Sequence, residues 1–292
     1  MSSTRAVLGR PESVATMTRR GFGDLSTSER KVARALLSTY PVAGLETVAQ
    51  LAVRANVSPP TVVRFVARLG FSGYPAFQQA LMHEVDERMG SPLEQYDAQD
   101  QQRAGQALLP YAASTFIGVL NSTFAELPET EFIRAVEAIC DRQKRVFLMG
   151  GRFSRVLTDY LAAHLQLLRA GVTRLPDQEP AQLSVLVDAG KSDLLLVMDY
   201  RRYDPVNVRF AELMAERGST VLLLTDRWLS PIADVAGIVL PARVEAPSPF
   251  DSLVPAMAVV ESLVAAVTER LGDGGRKRLK AIEGVQEQWL RQ

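Results

Sequence analysis

Apolar residues between Ser26 and Val85 recur with the spacing of amphipathic helices, and no strand-like alternation interrupts them. Short breaks at Pro41, at 56–58 and at 70–73 divide this stretch. The pattern predicts helices near 27–39, 45–53, 59–69 and 74–88. The N-terminal part of the chain is therefore expected to be an all-α domain.

The pattern changes after Lys144, where short aliphatic and β-branched runs alternate with helix-like sequence. This alternation predicts a parallel sheet that is covered on both faces. The predicted strands are Val146–Met149, Val172–Leu175, Leu194–Met198, Val221–Leu224 and Ile238–Leu240. Further helices are predicted near 108–126, 129–141, 250–271 and 275–291.

These patterns predict a multidomain chain with four segments. Residues 1–20 lack periodicity and are expected to be a flexible arm, and 21–89 form the helical domain. The polar, Gln-rich stretch 90–107 has the composition of a linker, and 108–292 form the α/β domain.

Charge is distributed unevenly over the 292 residues, although the formal net charge is zero. Residues 1–82 carry ten Lys and Arg against four Asp and Glu, whereas the remainder is acidic. A basic domain on an acidic body suits binding to a polyanion. A chance partition of surface charge gives the same numbers, so charge alone does not decide the function.

Several classes of protein are disfavoured by composition. Cys140 is the only cysteine, which excludes an intramolecular disulfide and a cysteine-based metal site and favours a buried thiol in a reducing compartment. No stretch reaches the roughly 18 apolar residues that a membrane helix needs, and the N-terminus lacks the apolar core of a signal peptide. We therefore expect a cytoplasmic protein with no membrane contact, metal ion or cofactor.

The segment 48–69 has the spacing of a helix-turn-helix. Ala52 is small where two helices must cross closely. Asn56 follows four residues later and tolerates the left-handed conformation of a sharp turn. Val62 then returns to the core.

The second helix of this motif is expected to be a recognition helix. Ser58 is a suitable N-cap, Pro59 suits the first helical position, and Gly70 suits the position after the last turn. The solvent face is predicted to carry Pro60, Thr61, Arg64 and Arg68.

Residues at the start of a recognition helix read base edges, and flanking arginines bind phosphates. We expect Ser58, Thr61 and Arg64 to contact bases or adjacent phosphates, and Arg54 and Arg68 to bind phosphates. The candidate DNA-binding residues are Arg54, Ser58, Pro59, Pro60, Thr61, Arg64, Arg68 and Tyr74. The alternatives are a solvated helix face and a motif that contacts another protein.

Short motifs follow one another along the helical domain at fixed spacings. They are Ser28-Glu29-Arg30-Lys31, Val57-Ser58, Thr61-Val62-Val63-Arg64-Phe65, Leu69-Gly70-Phe71 and Gly73-Tyr74. Together they resemble the N-terminal domain of the RpiR/MurR family of bacterial regulators. The resemblance implies a winged or extended helix-turn-helix that acts as a dimer on palindromic DNA sites.

A second set of motifs lies between about 130 and 271. It comprises Arg145–Gly150, Lys191–Asp199, Ala211–Thr225 and Ser230–Ala236. These segments resemble the sugar isomerase (SIS) domain that members of the same family carry. The resemblance implies an all-α helix-turn-helix head plus an α/β flavodoxin-like (SIS) parallel-sheet domain, with ligands at the carboxyl ends of the strands.

In the family, a sugar phosphate is held by a Gly-rich loop after the first strand and a hydroxyl-rich loop after the third. Here Arg152 replaces a glycine of the first loop, and charged residues replace nearly all the hydroxyls of the second. Arg202 also replaces the glycine that permits close approach of the backbone. The candidate ligand-binding residues are Gly150, Gly151, Arg152, Ser154, Asp199, Tyr200, Arg201, Arg202 and Asp204.

Two interpretations of the altered loops follow, besides ordinary sugar-phosphate sensing. In the first, Arg152, Arg201 and Arg202 converge at one mouth and bind a different small anionic effector. In the second, the arginines pair with nearby aspartates, and the domain serves only dimerisation. The aspartates considered are Asp177, Asp199 and Asp204.

Ser248, Asp251 and Ser252 precede the long apolar helix near 250–271. They are expected to cap this helix, or to border the pocket of a partner subunit as this region does in SIS dimers.

The sequence therefore predicts a sequence-specific DNA-binding transcription regulator that is not an enzyme. A sugar-phosphate isomerase is the remote alternative, but it would need an acid/base group beside an intact phosphate site. An architectural DNA-binding protein without an effector is a further alternative. The expected partners are double-stranded DNA with a palindromic operator, a small anionic effector and a second copy of the chain, with dimer or tetramer left open.

Overall fold

The structure is a computed structural model, and the residues it describes are 13–89, 107–176 and 178–290. The chain divides into two compact units, 1–95 and 96–292. The predicted linker 90–107 contains this boundary and lies, apart from its last residue, outside the described residues. In the described part of the chain, no helix combines the length and apolar composition that a membrane crossing requires.

The described part of the first unit is helical, as predicted. Its helices are α1 (Val14–Arg20), α2 (Thr27–Ser38), α3 (Val42–Leu45), α4 (Val48–Arg54), α5 (Pro59–Arg68) and α6 (Tyr74–Met89). Capping boxes fix two of the starts, with Ser26 and Glu29 at α2 and Thr47 and Gln50 at α4. The helices enclose one apolar core, whose largest fully buried side chains are Leu36, Leu51, Phe65, Phe77 and Leu81.

Helix α1 corrects the prediction of a flexible arm over residues 1–20. Ser13 caps this helix, Val14 and Ala15 are buried, and the Val14 amide donates to Glu84 Oε1 of α6 at 2.6 Å. The prediction is wrong for 13–20, and residues 1–12 lie outside the described residues. A helix of this length is stabilised by tertiary packing and leaves little periodicity in the sequence.

The second unit contains a five-stranded parallel sheet in the order β2-β1-β3-β4-β5. Its strands are β1 (Arg145–Gly150), β2 (Val172–Arg174), β3 (Asp193–Asp199), β4 (Thr220–Thr225) and β5 (Ile238–Pro241). Its helices are α7 (Leu108–Glu126), α8 (Glu129–Cys140), α9 (Arg155–Leu168), α10 (Glu179–Val187), α11 (Pro205–Glu216) and α12 (Val254–Leu290). The flavodoxin-like fold expected from the resemblance is confirmed.

Alternate residues of each strand face opposite layers of helices. Val146 and Leu148 of β1 pack in the core that includes α8, α9 and α12, whereas Phe147 and Met149 pack in the core that includes α10 and α11. Both faces are therefore covered, which explains why all seven residues of β3 are buried. Cys140 was expected to be a buried thiol, but it is only partly buried in α8. This partial burial raises the pKa of its thiol.

Two structural features position the sites. Strand order reverses between β1 and β3, so the loops after these strands meet at one edge of the sheet. Helix α12 breaks at Gly272 (φ +46°), which separates its apolar first part from its polar second part, as predicted.

Candidate functional site

The turn of the helix-turn-helix has the predicted conformation. Asn56 has φ +50°, and its amide donates to the Val53 carbonyl at 3.0 Å. The Val57 amide donates to the Ala52 carbonyl at 3.0 Å, which closes the end of α4. Asparagine therefore performs at this turn the conformational role that glycine usually has.

Helix α5 presents an exposed stripe, and Gly70 (φ +95°) follows its last turn, as predicted. The stripe contains Pro60, Arg64 and Arg68, together with Val63, whose side chain is 45% exposed. The prediction did not include Val63, although its position between Pro60 and Arg64 indicates that it shares their face. An exposed valine can contact a thymine methyl group.

Thr61 is not on the solvent face, which corrects the prediction, because it is only 5% exposed. Its Oγ1 lies 3.1 Å from Ser58 Oγ and accepts a hydrogen bond from Arg64 Nη2 at 3.2 Å. Ser58 occupies the N-cap position, but its hydroxyl bonds Thr61 and makes no side-chain cap. The three residues form a chain in which Thr61 orients Arg64 at the surface.

The two arginines expected to bind phosphates already have partners within the protein. Arg54 forms a bidentate ion pair with Glu46, with Nε 3.2 Å from Oε2. Arg68 donates to the Asp24 carbonyl at 2.7 Å and lies 3.5 Å from Glu29 Oε1. Both remain at the surface, so a phosphate would compete with these contacts.

Tyr74 is a structural residue, which corrects its inclusion among the DNA-binding candidates. It is 7% exposed, and its hydroxyl donates toward the carbonyls of Glu46 at 2.9 Å and Gly44 at 3.3 Å. Burial raises its pKa to about 12. The hydroxyl therefore fixes the start of α6 against the loop before α4.

In the second unit, the loop after β1 is bonded to β3. Ser154 Oγ accepts from the Gly151 amide at 2.9 Å and donates to the Met198 carbonyl at 2.6 Å. Gly150 has little room for a side chain, because a Cβ there would lie 3.0 Å from the Arg155 backbone nitrogen. The hydroxyl expected to contact a ligand therefore connects this loop to β3 instead.

The aspartates of the loop after β3 also have structural roles. Asp199 is buried and accepts from the Asp204 amide at 3.2 Å and from the Ser230 hydroxyl. Burial raises the pKa of Asp199, and these two hydrogen bonds oppose the effect. Asp204 caps α11 by accepting from the Val206 amide at 2.9 Å.

Arg201 and Arg202 bind Asp251, which neither interpretation of the loops predicted. Arg201 donates to Asp251 through Nε at 3.1 Å and Nη2 at 2.6 Å, and Arg202 donates at 3.3 Å. The expected pairing of these arginines with Asp199 and Asp204 is wrong, and Asp177 lies outside the described residues. Asp251 does not cap α12; Ser252 accepts from the Val254 amide at 3.1 Å at its start.

The three arginines therefore do not converge at one mouth. A cavity of about 890 Å³ lies beside the ends of β1 and β2 and the starts of α9 and α11. Its polar lining includes Arg152, Gly150, Gly151 and Asp204, but among the described residues neither Arg201 nor Arg202 lines it. The hydroxyl of Tyr200 is buried, with no hydrogen-bond partner in the described part, and burial raises its pKa.

Sequence reasoning missed most of the residues that line the cavity, including two polar residues that directly follow the candidate loops. Arg155 follows the loop after β1, and Asn207 lies in the first turn of α11. Asn207 is 3% exposed, and its side chain faces Asp199, whose pKa it lowers, but its Nδ2 makes no hydrogen bond of ordinary geometry among the described residues. Their positions directly after the two candidate loops were the available signal.

The electrostatics of this cavity favour an anion. Arg152, Arg155, Arg174 and Arg209 line it against Glu179 and Asp204. Arg174 pairs with Asp159 and Arg209 with Glu212, whereas Arg152 has no ion-pair partner in the described part. A ligand with an acceptor oxygen would satisfy Asn207 Nδ2 and pair with Arg152.

Comparison with known proteins agrees with the two units. Residues 15–88 match the helix-turn-helix domain of the rpiR family, and residues 141–266 match the SIS domain. The transcriptional regulator HexR of Pseudomonas aeruginosa is 28% identical over 270 residues, which are 89% of this chain and 90% of HexR. HexR of Escherichia coli is 25% identical over 267 residues, 89% of each chain.

Solved structures give the same result for the fold. The sugar isomerase domain of an RpiR transcription factor from Sphaerobacter thermophilus is 29% identical, with a TM-score of 0.57, and the match covers 61% of this chain and 99% of that domain. Vibrio vulnificus NanR complexed with ManNAc-6P is 21% identical, with a TM-score of 0.52, and the match covers 93% and 97% of the two chains. The chain thus combines a helix-turn-helix domain that matches the rpiR family with a SIS domain, and over 89% of its length it is similar to HTH-type transcriptional regulators.

Proposed function

We propose that this protein regulates transcription by binding specific DNA sequences through α5. The observation that carries the proposal is the exposed stripe of Pro60, Val63 and Arg64 on the second helix of a helix-turn-helix. Because Thr61 holds Arg64, the guanidinium is oriented before DNA arrives, which lowers the entropic cost of a bidentate contact to guanine.

We further propose that the regulator acts as a homodimer on a palindromic operator. Helix α7 supports this proposal, because large apolar side chains lie on its surface, among them Leu109, Ile117 and Phe124. An apolar surface of this kind is typical of an interface between subunits. Two recognition helices related by twofold symmetry would read half-sites about 34 Å apart, or multiples of that distance.

The cavity beside Arg152 is the proposed site of a small anionic effector. Arg152 and Asn207 supply donors, and the volume of about 890 Å³ suits a metabolite of sugar size. The complex of NanR with ManNAc-6P, an anionic sugar derivative, supports an effector of this class. Because Asp204 places a carboxylate at the start of α11, the anionic group would bind on the Arg152 side.

A second candidate function for this unit is dimerisation without an effector. It is favoured by Ser154, Asp199 and Arg201, which use their polar groups in contacts within the protein. Catalysis is not proposed: Asp199 is buried and bonded, and no histidine is among the described residues that line the cavity. The cytoplasmic location predicted from the sequence stays a prediction.

The DNA-binding proposal is tested with Arg64→Ala and an operator selected from random DNA. If Arg64 reads a base, the variant loses about 1–3 kcal/mol of affinity for the operator and much less for random DNA. Lys31→Ala, which removes an exposed cation of α2, is the matched control and should lose little on either DNA. An equal loss on both DNAs would assign Arg64 to a phosphate.

The effector proposal is tested by thermal unfolding in the presence of phosphosugars, sugar acids, amino sugars and dicarboxylates. A ligand at 100 times its dissociation constant stabilises by about 2.7 kcal/mol. The stabilisation should disappear in Arg152→Ala and persist in Arg134→Ala, an exposed arginine of α8. A ligand that stabilises wild type and Arg152→Ala equally would place the site elsewhere.

A further inference from the structure

Two arginines of the loop after β3 converge on one carboxylate of the same chain. The Arg201 side chain is 4% exposed and makes a bidentate contact with Asp251, at 2.6 and 3.1 Å. Arg202 adds a third hydrogen bond, to Asp251 Oδ2, at 3.3 Å. Parallel hydrogen bonds from a guanidinium match the planar geometry of a carboxylate or phosphate.

The surroundings of Arg201 hold its guanidinium in a fixed position. Its guanidinium carbon lies 5.4 Å from the centre of the Trp228 ring, which is almost fully buried. Arg227 lies 4.7 Å from the same ring centre and 3.8 Å from Glu245. Stacking and ion pairing thus hold Arg201 in place from elements other than its own loop.

The backbone of Arg202 indicates that its contact matters. Arg202 has φ +68°, a conformation that costs a non-glycine residue about 1–2 kcal/mol. Glycine would adopt this conformation without strain. Arginine is strained there, but it places a cation beside Asp251.

We propose that Arg201, Arg202 and Trp228 form an anion-binding site that Asp251 occupies as a built-in ligand. The site lies at the carboxyl end of β3, at the sheet edge where α/β proteins of this topology bind ligands. While Asp251 is bound, its carboxylate takes the place that an external anion would occupy beside Arg201 and Arg202. An anion that displaces Asp251 releases the segment between β5 and α12 from the loop after β3.

The test is chemical rescue of Asp251→Ala by small anions. Removing the carboxylate takes away the counter-ion that Arg201 and Arg202 share, and the Arg201 side chain is buried, so the Tm should fall in sodium chloride. Sodium acetate or phosphate at the same ionic strength should restore the Tm of the variant by roughly 2–4 °C. Wild type and the double variant Arg201→Gln/Asp251→Ala should show no comparable gain.

Asp193→Ala is the matched control for a general salt effect. Asp193 also accepts two hydrogen bonds from an arginine, Arg145, at 2.7 and 3.0 Å, but at the opposite end of β3 and with that arginine half exposed. An equal gain in both single variants, or no gain in Asp251→Ala, would overturn the proposal.

If Asp251→Ala does not fold in chloride, the yield of folded protein after refolding in acetate is compared with that in chloride. A higher yield in acetate supports the site, and equal yields contradict it. Neither measurement requires DNA or an effector, so this proposal can fail while the proposed function stands, and the reverse.

Discussion

At the scale of single residues, the polar groups at the sheet edge bind the protein itself. Ser154 joins the loop after β1 to β3, Asp199 accepts from Ser230, and Arg201 binds Asp251. Arg152 differs, because it lines the cavity and has no ion-pair partner in the described part. The choice between an altered ligand site and a purely structural domain therefore depends on Arg152 more than on Arg201.

The pH dependence of stability should report the burial of Asp199. Because burial raises its pKa in the folded state, the carboxyl binds a proton more readily when folded than when unfolded. The resulting stability is fully present below the unfolded pKa, about 3.9, and is lost as the pH rises through the folded pKa. As the pH falls from neutral, the unfolding free energy of wild type should thus rise relative to that of Asp199→Asn.

Denaturant unfolding of both proteins over this pH range measures the effect. Ser230→Ala should increase the dependence of the unfolding free energy on pH, because it removes a hydrogen bond that lowers the pKa of Asp199. If the unfolding free energy of wild type instead fell relative to that of Asp199→Asn as the pH was lowered, the raised pKa would be contradicted.

At the scale of elements, the consecutive glycines Gly150 and Gly151 at the end of β1 should differ in how well they tolerate a side chain. A Cβ at Gly150 would lie 3.0 Å from the Arg155 backbone nitrogen, and one at Gly151 would come no closer than 3.6 Å to its nearest neighbours. Gly150→Ala should therefore lose about 1–3 kcal/mol of stability, whereas Gly151→Ala should be nearly neutral. Equal unfolding midpoints would show that the start of α9 shifts freely.

Local signals were sufficient to predict most helices and strands. The strands were placed within two residues at each end, because an aliphatic run between turn residues is a local property of the sequence. Helices α1 and α3 were missed because they are short and depend on tertiary contacts. The burial of Thr61 and Tyr74 and the choice of Asp251 by Arg201 were also missed, since packing between distant segments decides them.

At the scale of the whole molecule, the chain combines a helix-turn-helix unit with a SIS unit, for which we propose an anionic effector. The family model for the first unit ends at residue 88, and that for the second begins at residue 141. Regulation requires that binding in one unit change the affinity of the other, and the effect must then be reciprocal. An effector that weakens operator binding should therefore itself bind less tightly when the operator is present.

The most direct test of the central claim is the ratio of affinities for a selected operator and for random DNA, measured at several salt concentrations. We expect the operator to bind roughly 10³-fold or more tightly than random DNA. The salt dependence should reflect phosphate contacts on both DNAs. Equal affinities that fall together with salt would contradict sequence-specific regulation and indicate an architectural DNA-binding protein.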